Sequence, residues 1–296
     1  MLKRTLSLIV ALCLALSLCA TAEIQSTDML GRTHTFQAPA TRVVALSAAE
    51  CEILYALGAG GTLVGRGEYC DYPEEALSAP ILGSGGNTNI EEILALKPDL
   101  VLMNTMAQPI EQVEAIEKVG VPVYVTQAVD IAGVYTAIAG IGQLVGKDQE
   151  AQELVDDMKA TFDSLKAKVP ASDMPKTVYF EVSPLQYGLW TGGKNTFMNE
   201  MAEMLGLKNI FDDVDGWAEI SQEQVIARNP DLIVTVTMYF GEGPKPDEEI
   251  ASRAGWEGIT AVKEGRILTA DNNAMTRPGP RLAEAAQSLY YFAYGN

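Results

Sequence analysis

The chain has 296 residues, of which 48% are hydrophobic, and its 39 acidic residues against 21 basic ones give a formal net charge of −18. A chain of this length usually builds more than one hydrophobic core, so we expect two domains. Nucleic acid and anionic membranes would repel so acidic a surface, which argues against both as partners.

The first 22 residues have the pattern of a secretory signal peptide, with Lys3 and Arg4 ahead of an apolar stretch over residues 6–18. We expect cleavage after Ala22, which removes two basic and no acidic residues, so the charge of −18 becomes −20. The product would be periplasmic or otherwise extracytoplasmic. Lipid attachment at Cys19 is the alternative, although Leu18 stands where such sites usually carry a small residue.

The N-terminal half of the expected mature chain alternates strand and helix patterns. A polar segment at residues 28–37 indicates an opening β-hairpin. Apolar runs predict strands at residues 43–47, 63–64 and 121–126, and helical spacing predicts helices at residues 50–57, 109–119 and 131–145. Such alternation is typical of an α/β fold with a mostly parallel sheet.

Residues 147–169 contain neither glycine nor proline and predict one helix of about 35 Å, at 1.5 Å per residue. One stripe of this helix is apolar, comprising Leu154, Val155, Met158, Phe162 and Leu165. Pro170 and Pro175 end the pattern. We therefore expect a signal peptide at residues 1–22, an N-terminal lobe at 23–145, a rigid connecting helix at 146–170 and a C-terminal lobe at 171–296.

The C-terminal half repeats the plan of the first, with predicted strands at residues 177–182 and 266–270 and helices at residues 196–205 and 281–293. The segment EEILALKPDLVL at residues 91–102 returns as EQVIARNPDLIV at residues 223–234. Each copy reads as a helix, a Pro-Asp turn and a buried strand. One recurrence indicates two similar lobes, and a cleft between lobes is a common place for a ligand.

Only Cys51 and Cys70 remain after the expected cleavage, in a compartment that permits disulfides. Cys51 falls at the start of the helix after the first strand, and Cys70 in the loop after the second. These places are neighbours in a parallel sheet, so a disulfide between the two is geometrically feasible. Two partly buried thiols are the alternative.

Ligands of open α/β sheets bind beyond the carboxyl ends of the strands, and this rule selects candidate residues in both lobes. In the N-terminal lobe they are Ser47, Tyr69, Cys70, Tyr72, Gly85, Asn87 and Asn104. In the C-terminal lobe they are Glu181, Trp190, Trp217, Tyr239 and Arg277. Aromatic walls, amides and one cation suit a large planar or caged chelate.

Some of these candidates have a structural alternative. The two tyrosines of the loop, Tyr69 and Tyr72, could pack that loop, and the two tryptophans could belong to the core or the rim. Arg277 has no acidic neighbour in sequence and is expected to meet an anionic ligand. Arg281 is expected to cap and brace its own helix.

Several stretches carry a family resemblance when they are taken in order. They are RVVALS (42–47), EILYALGAG (52–60), EYCDYP (68–73), both copies of the repeat, EGRI (264–267) and RPGPRLAEA (277–285). Together they resemble the helical-backbone family of substrate-binding proteins that supply ATP-driven importers of cobalamin, ferric siderophores and haem. The resemblance covers almost the whole mature chain. It implies two Rossmann-like lobes joined by one helix, a shallow cleft and small hinge motion.

The same resemblance implies a permease partner. In the cobalamin-binding relatives an acidic residue on each lobe docks onto arginines of the permease, and the aligned positions are Glu52 and Glu223. The alternative for both is an ordinary first-turn glutamate that the helix dipole favours. We expect a monomer that meets a small-molecule chelate and the ABC permease.

The ligand itself stays open at this point. Cobalamin-specific relatives carry tryptophans where this chain has Gly85 and Asn104, so a ferric siderophore or another corrinoid fits equally well. Haem would need an axial ligand, which Tyr69, Tyr72 or Tyr239 could supply. The sole histidine, His34, lies in the opening hairpin, which argues against the related binders of bare zinc or manganese. We expect no resident metal or cofactor.

An enzyme is the rival from another class. Residues 188–195 nearly spell a phosphate-binding P-loop, but Asn195 stands where the Ser or Thr hydroxyl that holds magnesium belongs. One histidine in the N-terminal hairpin gives no Ser-His-acid arrangement. We therefore expect a binding protein that has no enzymatic activity; a receptor of the same fold without a permease is a further alternative.

Overall fold

The computed structural model describes residues 23–83, 85–238, 241 and 243–295. The strands are β1 (Ile24–Thr27), β2 (Thr33–Phe36), β3 (Val43–Ala45), β4 (Leu63–Arg66), β5 (Leu100–Asn104), β6 (Val123–Thr126), β7 (Thr177–Glu181), β8 (Leu189–Gly192), β9 (Lys208–Asn209), β10 (Trp217–Ile220), β11 (Leu232–Thr235) and β12 (Ile267–Thr269). The predicted signal peptide lies outside the described residues.

From β3 onward, at least one helix lies between successive strands except for β7–β8 and β9–β10. The helices are α1 (Ala48–Ala56), α2 (Ile90–Ala95), α3 (Ile110–Lys118), α4 (Ile131–Leu144), α5 (Asp148–Lys168), α6 (Phe197–Met204), α7 (Gln222–Arg228), α8 (Pro246–Ala251), α9 (Thr260–Lys263), α10 (Asn272–Thr276) and α11 (Leu282–Tyr294). In the described part of the chain, no helix is long and apolar enough to cross a bilayer.

Two four-stranded parallel sheets form the centres of the two lobes. Their strand orders are β4-β3-β5-β6 and β12-β11-β7-β9. In the first sheet Val43 and Leu100 point into one hydrophobic cluster, whereas Val44 and Val101 point into another. Both faces are thus covered, which explains why these strands are apolar throughout rather than alternating. The predicted α/β class with two mostly parallel sheets is confirmed.

Helix α5 joins the two lobes. Its buried stripe comprises Ala151, Val155, Met158, Phe162 and Leu165. Those side chains belong to one continuous hydrophobic cluster with Val43 of the first sheet and Val178 of the second. The connection is therefore packed along its length, whereas the exact domain boundaries remain a prediction.

The repeated segment forms the same structure in both lobes. Asp99 accepts hydrogen bonds from the backbone N and hydroxyl of Thr41 (2.9 and 3.0 Å), and Asp231 accepts the same pair from Thr177 (2.8 Å each). Each aspartate thereby fastens the chain near the start of a neighbouring strand. The repeat also preserves a left-handed backbone at equivalent positions, with φ of 49° at Lys97 and 44° at Asn229.

Candidate functional site

The carboxyl ends of the two sheets face a cleft between the lobes, and the lobes touch at both edges of it. At the β6 edge the backbone N of Phe197 donates to the carbonyl of Val129 (2.9 Å), and that of Ile131 donates to Glu200 (2.8 Å). At the β4 edge two arginines of the C-terminal lobe bind acidic residues of the N-terminal lobe. The inter-lobe cleft is the space between these two contacts.

Large apolar side chains remain exposed around this cleft, each in a segment that follows the end of a sheet strand. Tyr69 is 64% exposed and Met106 is 48% exposed in the N-terminal lobe. Tyr187, Trp190 and Met238 are exposed in the C-terminal lobe. Since ligands of open α/β sheets bind beyond the carboxyl ends of the strands, these side chains are candidates for ligand contact. Tyr187 and Met238 were not among the candidates chosen from the sequence. The rule that ligands bind beyond the carboxyl ends of the strands, called the strand-end rule below, selected Trp190 and could have found both.

The two candidate tryptophans lie on one face of a two-stranded ribbon that the sequence did not predict. Strands β8 and β10 pair antiparallel, with Trp217 opposite Gly192 and Trp190 opposite Glu219. Cross-strand partners share a face, so both indoles are on the same side. Trp217 packs edge-on against Phe197 at 5.5 Å and is half-buried, whereas Trp190 is exposed. Trp190 is thus accessible to a ligand and Trp217 supports the ribbon beside it.

Ser47 and Asn104 are not available to a ligand, which corrects the expectation for both. Asn104 is buried, and its amide donates to Glu50 (3.2 Å) and to Thr126 (3.1 Å). Its backbone N donates to the hydroxyl of Ser47 (2.9 Å). These groups solvate the carboxylate of Glu50, whose pKa is still raised because it is fully buried. The cluster holds α1 to the ends of β5 and β6.

Glu181 is likewise sealed inside its lobe, which corrects its expected contact with ligand. Its carboxylate is held bidentately by Arg253, at 2.6 and 2.9 Å, and both side chains are almost fully buried. Burial raises the pKa of Glu181, and the arginine offsets part of that rise. The guanidinium also stacks on Trp256 at 4.6 Å. Glu181 therefore braces the C-terminal lobe.

Cys70 is buried beneath its loop, so a direct contact with ligand is also wrong for this residue. Its thiol donates to the carbonyl of Ala45 (3.4 Å). Contact with Cys51 and burial raise the pKa of Cys70 well above its ordinary value. Both thiols are free and buried in this structure, and their pairing remains a prediction.

Glu52 lies in an inter-lobe ionic cluster, defined by Glu52, Asp71, Arg277 and Arg281, and is buried rather than displayed to a permease. It accepts from Arg277 (2.8 Å) and twice from Arg281 (2.8 and 2.7 Å). Arg277 also contacts Asp71 at 2.8 Å. The expected docking role of Glu52 is therefore wrong for this structure, since its charge is already neutralised within the protein.

The cluster also corrects the roles expected of both arginines and places Tyr72. Arg277 finds two acidic partners in the other lobe, so it is not free for an anionic ligand. Arg281 makes no side-chain cap on α11 and bridges the lobes instead. The ring of Tyr72 stacks on Arg281 at 4.0 Å, so this tyrosine belongs to the cluster.

The remaining candidates stay predictions. Gly85 and Asn87 form a short turn at the surface of the N-terminal lobe, where Asn87 is exposed and Gly85 adopts a left-handed φ of 51°. Tyr239 lies outside the described residues. His34 is in the hairpin, with its ring 3.2 Å from Asp28. Among the residues that the structure describes, no cluster of three or more potential ligands could hold a metal ion.

Comparison with known proteins gives consistent matches over most of the chain. A family model described as a periplasmic binding protein matches residues 43–274. An uncharacterised ABC transporter substrate-binding lipoprotein of Bacillus subtilis is 35% identical over 88% of this chain and 82% of its own length. A vitamin B12-binding protein of Yersinia pestis is 29% identical over 84% of this chain and 85% of that protein.

One similar solved structure is that of a possible iron-binding, periplasmic solute-binding protein from Staphylococcus epidermidis. It superposes with a TM-score of 0.74 at 35% identity, covering 87% of this chain and all of the other (100%). The same two-lobed architecture is therefore found in a relative whose sequence is also clearly similar.

Proposed function

This chain belongs to the periplasmic binding protein family, whose members are substrate-binding components of ABC transporters, and we propose that its cargo is a metal chelate, an iron–siderophore or a cobalamin-type corrinoid. The family is one of transport binding proteins rather than enzymes. The names of the relatives from Yersinia and Staphylococcus support a chelate but differ from each other. The cleft of this chain must therefore guide the choice.

The observation that carries the proposal is the character of the accessible cleft surface. Among the candidate ligand-binding residues, the two charged ones are Glu181 and Arg277, and both form ion pairs within the protein. The accessible groups include the aromatic and apolar side chains of Tyr69, Met106 and Trp190. Flat apolar groups suit the organic shell of a chelate that hides its metal charge. We therefore favour a neutral hydroxamate siderophore or a corrinoid over a strongly anionic chelate.

Haem is a second candidate because of Tyr69. This side chain is 64% exposed, and its hydroxyl has no hydrogen-bond partner among the described residues. A tyrosine oxygen is a known axial ligand of haem iron. Tyr72 is a poorer candidate, since its ring is stacked on Arg281.

Calorimetric titration of the purified protein tests the cargo directly. We expect saturable binding of ferrichrome or cyanocobalamin, and at least about a fivefold loss of affinity in Trp190→Ala, since stacking of one aromatic group is worth about 1–3 kcal/mol. The control is Tyr291→Ala, which removes a half-exposed ring from α11, away from the cleft. Binding of haem alone, lost in Tyr69→Phe, would select the second candidate. No binding of any of the three would refute the chelate assignment.

For permease docking we propose Glu91 together with Glu223. The repeat makes these two glutamates equivalent, and both are exposed in the first turn of their helices, α2 and α7. Glu52 cannot act this way while it is bound by Arg277 and Arg281. Two carboxylates at matching places on the two lobes would set the orientation as well as the strength of docking.

Charge reversal separates docking from cargo binding. Glu91→Lys and Glu223→Lys are each expected to reduce uptake in cells by tenfold or more while the calorimetric affinity for cargo stays unchanged. The control, Glu153→Lys, reverses an exposed charge on α5. Normal uptake by the Glu91→Lys variant would eliminate this residue as a docking group.

We place the protein outside the cytoplasm, as a monomer. The predicted signal peptide and the lipoprotein from Bacillus subtilis support export. Fractionation of cells that carry the natural chain or Cys19→Ser decides between the two forms. A membrane-bound protein that the substitution releases would select the lipid anchor over cleavage after Ala22.

A further inference from the structure

A cavity of about 630 Å³ lies behind the inter-lobe ionic cluster, where the two lobes meet the connecting helix. We name it the junction cavity. Its wall includes Tyr55 of α1, Met158 of α5 and Ala283 of α11, so each of the three bodies contributes to it. None of the exposed apolar residues that mark the inter-lobe cleft at Tyr69, Met106 or Trp190 lines it. The cavity is therefore separate from the proposed cargo site.

The interior of the junction cavity is apolar and aromatic. Met158 is almost completely buried, and Leu154 beside it on α5 is half-buried. Tyr55 and Tyr72 add two rings, and the small side chain of Ala56 also lines the cavity. A volume of this size lies in the range of about 300–1,000 Å³ that small-molecule sites usually have.

The rim of the junction cavity carries uncompensated negative charge. Glu75, Asp157 and Glu284 line it, are exposed, and have no ionic partner among the described residues. Among the described residues, the one basic side chain in its wall is Arg281, which is bound to Glu52 and stacked on Tyr72. An apolar interior below three free carboxylates is complementary to a cation that has an apolar body, and it disfavours anions.

We propose that the junction cavity is a second binding site, for a small organic ammonium ion with an aromatic or aliphatic body. The ammonium group would lie between the rim carboxylates and the ring of Tyr55, where cation–π attraction adds to the charge interaction. The body would contact Leu154 and Met158. Because the wall comes from both lobes and α5, an occupied cavity would also stabilise the arrangement of the lobes around the ionic cluster.

The test uses benzyltrimethylammonium as the probe and the methyl NMR signal of Met158 as the reporter of place. We expect a saturable shift of that signal, together with a rise of the thermal midpoint. Benzenesulfonate, an anion of similar size, is expected to leave the signal unchanged. No shift with the cation at millimolar concentration, or an equal shift with the anion, would overturn the proposal.

Two variants test the two parts of the argument. Ala56→Trp fills the cavity from an exposed position on α1 and should abolish binding of the probe, whereas Ala132→Trp, on an exposed position of α4, should not. Neutralising the rim with Glu75→Gln, Asp157→Asn and Glu284→Gln should weaken binding by about two- to fivefold for each charge removed. Full affinity in the neutral variant would exclude an ammonium site. Cargo affinity unchanged by Ala56→Trp would show that the two sites are separate, and its loss would contradict that separation.

Discussion

Removal of Arg253 is the change that most directly tests whether Glu181 serves the scaffold rather than the cargo. The side chains of Arg253 and Glu181 are 2% and 1% exposed, and two hydrogen bonds of 2.6 and 2.9 Å join them. Arg253→Met keeps much of the apolar volume but leaves the carboxylate buried without its counter-charge. Breaking such a pair from one side typically costs about 3–5 kcal/mol of unfolding free energy.

The loss should depend on pH in a defined direction. Burial already raises the pKa of Glu181, and without the guanidinium the pKa rises further. A carboxyl whose pKa is raised in the folded state stabilises the fold most below the pKa of the unfolded chain, and this stability is lost as the pH rises through the folded value. Arg253→Met should therefore be less destabilised at pH 5 than at pH 8.

Urea unfolding followed by circular dichroism measures both effects, and it avoids the fluorescence of Trp256, on which Arg253 stacks. The double variant Glu181→Met and Arg253→Met should recover much of the loss, because no charge is then left unpaired. A loss below about 1 kcal/mol in Arg253→Met, or the same loss at both pH values, would refute a buried ion pair. If Glu181→Gln weakened cargo binding at unchanged stability, Glu181 would instead be a residue that contacts the ligand.

Two further variants and the oxidation of the two cysteines test other features of the fold. Burial raises the pKa of Glu50, so its charged form destabilises the fold. In urea titrations, the free energy of unfolding of Glu50→Gln, compared with that of the natural protein, should therefore be more favourable at pH 8 than at pH 5. An equal loss at both pH values would contradict this. Oxidation of Cys51 and Cys70 to a disulfide should add about 3 kcal/mol to the free energy of unfolding, because it closes a loop of about 20 residues. If no disulfide forms, alkylation of the unreduced, denatured protein would label two free thiols. Lys97→Gly should raise the free energy of unfolding by about 0.5–1 kcal/mol, since Lys97 has a φ of 49°, and an unchanged urea midpoint would argue against strain there.

The scaffold was predictable because its signals are local. The apolar runs around Val43 and Leu100 are buried on both sides, and a Pro-Asp turn marks where the strand of Leu100 begins. Asp99 and Asp231 accept equivalent hydrogen bonds from threonine, so the similarity of the two twelve-residue segments reflects a similar local structure. The pairing of β8 with β10 was not predicted, because these two short strands are separated by 24 residues that include a helix.

The site was less predictable because its decisive partners are distant in sequence. Glu52 and Arg281 are separated by 229 residues, and Glu181 and Arg253 by 72. No local pattern shows that such a charge will be neutralised by a residue from another lobe or helix. The strand-end rule located Asn104 correctly along its strand, but it does not tell whether a side chain points to the cleft or back into the lobe.

The same pairing separates the positions of this chain that maintain the fold from those that can change with the cargo. In this chain the selected charges at the strand ends hold the lobes together or brace one lobe, so they cannot be altered without a cost in stability. Tyr69, Met106 and Trp190 are exposed and contribute little to packing, so substitutions there should affect the cargo more than the fold. Cargo preference should therefore depend on the aromatic and apolar groups around the cleft, while the inter-lobe ionic cluster holds the two lobes together.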